Sequence, residues 1–163
     1  MRVVNTSFPF DEAGPWALSQ RYLPHALLCQ ALIVQEQMLF PEAANLLYKV
    51  GIYFYWRAQY PEVEPLFPQA LGIQEHLFGP EHPNTANSLD SLASLYHKQG
   101  QDEQAEPLYQ QALAIYERVL GTEHPSAVRT LENYIVLLDK TKRQAEAAKL
   151  KERVKAIRAK KQR

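Results

Sequence analysis

Residues Glu62–Pro83 read EVEPLFPQALGIQEHLFGPEHP, and Gln104–Pro125 read QAEPLYQQALAIYERVLGTEHP, 42 residues later. Over residues 44–83 against 86–125, 16 of 40 positions are identical. A weaker third copy starts near Arg129 and keeps Leu131, Leu137, Ala147, Leu150, Ala156 and Ile157. Upstream, Gln30–Glu36 echoes Gln69–Glu75, three residues out of phase. A fixed period of this size means stacked supersecondary units, each too small to bury its own apolar face alone.

Each unit reads as two helices. Leu89, Leu92, Ala93, Leu95 and Tyr96 recur at helical spacing until Gly100. A second run then carries Ala105, Leu108, Tyr109, Ala112, Leu113, Ile115 and Tyr116 as far as Gly121. The pattern predicts helices over 16–22, 25–38, 41–58, 61–78, 83–99, 102–120, 125–141 and 143–160, with no strand. Pro107 is expected near the first turn of its helix, because an interior proline removes a backbone bond. Pro68 sits deeper, so a kink or a shifted start is expected there.

These residues resemble the tetratricopeptide repeat. Its alternation of small and large residues appears as Leu89, Leu92, Ala93, Tyr96, Gly100, Ala105, Tyr109 and Ala112, and one repeat earlier as Leu47, Val50, Gly51, Phe54, Ala58, Val63, Phe67 and Ala70. The long period and the Leu120–Ala127 linker are similar to the kinesin light chain type of repeat. The resemblance implies an all-α superhelix of antiparallel helix pairs. The expected divisions are an irregular N-terminal segment with a degenerate half repeat (1–40), repeats at 41–82 and 83–124, and a third repeat with a basic capping helix at 125–163. A narrower likeness lies in Trp16–His25, Phe40–Ala44 and Leu137–Glu146, which resemble the sensor end of bacterial NB-ARC signalling NTPases. The chain itself has no GxxxxGK[ST] loop.

Composition narrows the function classes. The chain has 163 residues, 46% hydrophobic and 22% charged, enough for a buried core and too apolar for disorder. A single cysteine excludes an internal disulfide framework. The first ten residues lack an apolar signal core, and the longest apolar run, Ala26–Val34, is too short to span a bilayer. A soluble, cytoplasmic protein is expected. From Lys140 onward there are 11 basic and 2 acidic residues, against 7 basic and 16 acidic before it. Such a tail suits nucleic acid or a solvated terminal helix. No aromatic follows Tyr134 to stack on bases, and Ala147, Leu150, Val154 and Ile157 make one apolar stripe, so a capping helix is the better reading.

No constellation points to catalysis, a cofactor or a metal. Glu81-His82-Pro83 and Glu123-His124-Pro125 recur at the repeat period, which suits the turn before a helix, proline being favoured at the first helical position. Cys29 and His25 share a helix face, but cysteine inside an apolar run is usually buried core.

The remaining hypothesis is a partner-binding groove. In repeats of this family the first, or A, helix of each pair lines the concave surface. Carried onto this chain, that face comprises Tyr48, Ile52, Tyr55 and Trp56, then Asn87, Ser91, Ser94 and His97, then Arg129 and Asn133. An aromatic end grading into a polar one suits an extended peptide with a hydrophobic anchor. The competing reading has the aromatics packing as core. Expected partners are a protein or peptide, with neither nucleic acid nor membrane, and with self-association through the open ends of the stack. A structural or regulatory arm of an NB-ARC-type NTPase is the alternative function.

Overall fold

A computed structural model describes residues 16–161, all helical apart from short turns. Residues 1–15 of the expected N-terminal segment, and the signal-peptide reading of the first ten, lie outside the described residues. In chain order the helices are α1 (Trp16–Gln35), α2 (Pro41–Trp56), α3 (Tyr60–Val63), α4 (Leu66–Phe78), α5 (Pro83–Lys98), α6 (Asp102–Val119), α7 (Pro125–Lys140) and α8 (Gln144–Lys161). The chain divides into two compact units, one up to Pro80 and one from Glu81 onward.

The first unit holds α1 to α4. Its core gathers Leu46, Leu47, Val50 and Tyr53 of α2 with Leu66, Phe67 and Ala70 of α4. Two expectations are corrected here. Helices predicted over 16–22 and 25–38 are one continuous helix with Pro24 inside it, losing a backbone bond without breaking. The helix predicted over 61–78 is two, α3 and α4, with Pro65 at the N-cap of α4 and Pro68 in its first turn. The shifted start at Pro68 is therefore real. Helix α1 turns Ala26 and Ile33 inward and leaves Leu28, Leu32 and Val34 exposed. Cys29 is half-buried rather than core, and His25 is exposed.

The second unit pairs α5 with α6 and α7 with α8. One apolar cluster runs through Ala93, Tyr109, Leu131, Tyr134, Leu137, Leu138, Ala147, Val154 and Ile157. The stripe predicted for the capping helix thus faces inward, with Leu150 packed at its edge. Pro107 lies six residues into α6, not in its first turn, and the helix continues through it.

The period of 42 is written into the backbone as well. Every positive-φ residue among those described falls on one of two repeat positions: Gln37, Gly79 and Gly121, or Ala58, Gly100 and Lys142. Glycine takes this left-handed conformation without a Cβ penalty, and the other three residues adopt it at some cost. Pro41, Pro83 and Pro125 open the A helices α2, α5 and α7. His82 and His124 cap the last two, each Nδ1 accepting from the amide two residues on, at 3.1 and 3.2 Å. The Glu-His-Pro triplets are helix starts.

Candidate functional site

In the first unit the A-helix face belongs to α2. This helix buries Leu46, Val50, Tyr53 and Phe54, and residues off that stripe turn outward. Tyr48, Ile52 and Tyr55 are half-buried, and Trp56 is 59% exposed. The Tyr48 ring lies 6.0 Å from that of Phe67, so it shares in the packing of the helix pair. Tyr55 meets Trp56 edge-on at 5.9 Å and Tyr60 at the same separation. The patch is graded, from Tyr48 against the core to Trp56 in solvent.

In the second unit, α5 and α7 lie side by side and their polar residues meet. Asp90 is only 4% exposed. Asn133 Nδ2 donates to its Oδ1 at 3.4 Å, and the Arg129 guanidinium stands 3.5 Å from Oδ2. Burial pushes the Asp90 carboxyl above its usual range, and Arg129 and Asn133 pull it part of the way back. Arg129 itself is half-exposed, so a buried carboxylate orients a cation that also faces water.

At the other end of the same two helices, His97 Nδ1 lies 2.6 Å from Asp102 Oδ1. Lys140 reaches Asp102 Oδ2 at 3.0 Å and donates to the His97 carbonyl at 3.3 Å. Burial alone would raise Asp102, but hydrogen bonds from Lys140 and His97 outweigh it and hold the carboxyl below its usual range.

Not every expected residue joins this surface. The Tyr116 hydroxyl donates to the Asn87 amide oxygen at 2.5 Å, and Ser94 pairs with the Tyr109 hydroxyl at 3.0 Å. These contacts fasten α5 to α6 within one repeat, and Ser91 is buried. His97, Arg129 and Asn133 do gather on the polar face, around Asp90, Asp102 and Lys140. Asp102 carried no signal beyond its place at a helix start.

The basic tail folds back on its own unit. Lys151 pairs with Asp139 at 2.8 Å, Arg153 with Glu117 at 2.6 Å and Lys160 with Glu123 at 3.0 Å. Arg158 pairs with Glu132 at 2.5 Å. Glu81 and Arg118 form the same pair one repeat before Glu123 and Lys160. Arg143 clasps Glu106 and Glu146, each at 2.6 Å, which ties the start of α8 to α6. Among the described residues, no cluster of three or more histidines, cysteines or acids is placed to hold a metal, and no helix is long and apolar enough to cross a membrane.

A family model for the tetratricopeptide repeat matches residues 42–118 and again residues 92–160. The chain is similar to a solved structure from Podospora anserina described as a kinesin light chain with nearly identical TPR-like repeats. Identity is 27% and the TM-score 0.72, over 88% of this chain and 69% of that one. A single-residue variant of that protein aligns at 26% identity with a TM-score of 0.73, over 88% and 68%. BtubC (BKLC) from P. vanneervenii shares the fold, with a TM-score of 0.78 at 17% identity, over 90% of this chain and 60% of that one. No curated protein matches the chain.

Proposed function

We infer that this chain, which belongs to the tetratricopeptide repeat family, is a non-enzymatic scaffold that holds a protein or peptide segment on the faces of its A helices. The observation that carries this reading is the exposure of Trp56, at 59%, on the A helix of the first unit. Tryptophan is costly to leave in water and is over-represented among binding hot spots. The half-exposed Arg129, oriented by Asp90, supports the reading from the second unit, where it suits a carboxylate or carbonyl of a bound segment. A cytoplasmic setting and self-association through the exposed Leu28 and Leu32 of α1 belong to the same proposal.

The test uses peptides selected from a random library on the intact chain. Trp56→Ala should weaken the selected peptides by about 2 kcal/mol, roughly thirtyfold, with little change in melting temperature. A large drop in melting temperature with unchanged affinity would overturn the assignment of Trp56. The alternative, a regulatory arm of an NB-ARC-type NTPase with no ligand of its own, rests on the likeness of Trp16–His25 and Phe40–Ala44. It expects no selected peptide to depend on Trp56 at all.

A further inference from the structure

The 42-residue period lays α5 and α6 onto α7 and α8. In the first pair, Asp90, Ala93, Tyr109 and Leu113 form the surface on which the next helix, α7, is seated. Asp90 meets Arg129 and Asn133, and the other three lie in one cluster with Leu131, Tyr134 and Ile135 of α7. The equivalent residues of the second pair are Glu132, Ile135, Lys151 and Lys155. With Val154 and Arg158, they line an open groove of about 560 Å³ between α7 and α8. The same seat is built twice in this unit, and in its first copy a helix fills it.

We propose that the α7–α8 groove docks an amphipathic helix of a partner protein that carries acidic residues along its contact face. The shape argument comes from the filled copy, since a groove with the same register receives a 16-residue helix one repeat earlier. The charge argument comes from three replacements. Lys151 stands where the filled seat has Tyr109 and Lys155 where it has Leu113, while Arg158 replaces Tyr116, which in the first pair bonds Asn87 within its own repeat. The floor, Ile135 and Val154, stays apolar.

The ion pairs across this surface do not close it. Lys151–Asp139 and Arg158–Glu132 are solvent-exposed pairs, and such pairs are weakly held, so an incoming carboxylate can exchange with them. The nearest carboxylate to Lys155 is that of Glu152, at 3.9 Å. A second copy of this chain answers the chemistry poorly. Its apolar helix face, on α1, carries no acidic residue between Trp16 and Gln35.

Tyr134 of α7 meets Tyr109 with ring centroids 6.4 Å apart, so it marks the position of an incoming helix that faces Lys151. The probe is therefore a helix-stapled peptide of residues 125–140 carrying Tyr134→Glu, titrated onto the intact chain. It should bind, weaken as ionic strength is raised through a few hundred millimolar, and lose roughly tenfold in affinity on Lys151→Glu. The same peptide with Tyr134→Lys should prefer the Lys151→Glu chain. Lys151 is half-exposed, so its reversal leaves the core intact. Absence of binding, equal binding of both peptides to both chains, or a dimer of the intact chain that Lys151→Glu dissociates in sedimentation would each overturn the proposal.

Discussion

Gly51 of α2 and Phe67 of α4 approach so closely that a β-carbon at residue 51 would lie 2.5 Å from the phenylalanine ring. Gly51, Ala93 and Ile135 occupy one repeat position, so the residue there grows along the chain. In the first unit Phe67 is fully buried and takes the space.

Gly51→Ala therefore sets two effects against each other. Helix propensity favours alanine by about 1 kcal/mol. Overpacking against an immobile ring costs about 1–3 kcal/mol. The expected net result is a loss of up to about 2 kcal/mol. Gly72→Ala is the control, because an added β-carbon there meets nothing within 4 Å. Thermal melts of the two variants should shift in opposite directions.

Ala58 and Lys142 hold φ of 55° and 63° at the position where the middle repeat has Gly100. The left-handed conformation costs a non-glycine residue about 1–2 kcal/mol, and the greater unfolded freedom of glycine takes some of that back. Lys142→Gly should thus stabilise the second unit by about 0.5–1 kcal/mol, and Gly100→Ala should destabilise it by a similar amount. Chemical denaturation of both variants measures the difference.

A carboxylate whose folded pKa is raised makes the folded state bind its proton more tightly than the unfolded state does. Stability then falls as pH rises from the ordinary carboxylate pKa, about 3.9, through the raised folded value. Asp90 is in this position. Asp90→Asn keeps an acceptor for Asn133 and removes the buried charge, so it should stabilise the chain at pH 7 by about 1 kcal/mol. The gain should vanish near pH 3, where both states are protonated. A gain that persists at pH 3 would show that the charge is not its source.

Asp102 and Glu106 carry the opposite sign. Hydrogen bonds from Arg143 and then Tyr134 hold Glu106 below its usual range, and Lys140 and His97 do the same for Asp102 against the effect of burial. Their contribution is present above the ordinary carboxylate pKa and is lost as pH falls through the depressed values. Arg143→Gln should lower stability at pH 7 and make the melting temperature less sensitive to pH below about 4. An unchanged acid slope would argue against the Glu106 contact as its cause.

The repeat spacing, the helix pairs and the helix starts were legible because each recurs at a fixed offset. His82 and His124 both precede a proline, and the stripe Ala147, Leu150, Val154 and Ile157 keeps helical spacing through a basic run. Proline positions were less legible, since the tolerance of Pro24 and Pro107 depends on tertiary packing that outweighs one lost backbone bond. The polar face was read only in part. Asn87, Ser91 and Ser94 lie on one helical stripe and Asp90 and His97 on the next, and periodicity alone does not say which stripe turns toward α6 and which toward α7. Distance settles it: Asn87 and Ser94 turn toward Tyr116 and Tyr109 of α6, Asp90 turns toward Arg129 and Asn133 of α7, and His97 reaches Asp102 at the start of α6.

The residues that flank the starts of α5 and α7 also make the chain editable. His82 and His124 both present an imidazole acceptor to the amide two residues on, and each is followed by a proline that opens the helix. Excising residues 83–124 would join His82 to Pro125 and regenerate the sequence Glu-His-Pro at the scar. Inserting a second copy of the same segment after His124 would do likewise. The number of repeats can thus be changed without designing a new junction.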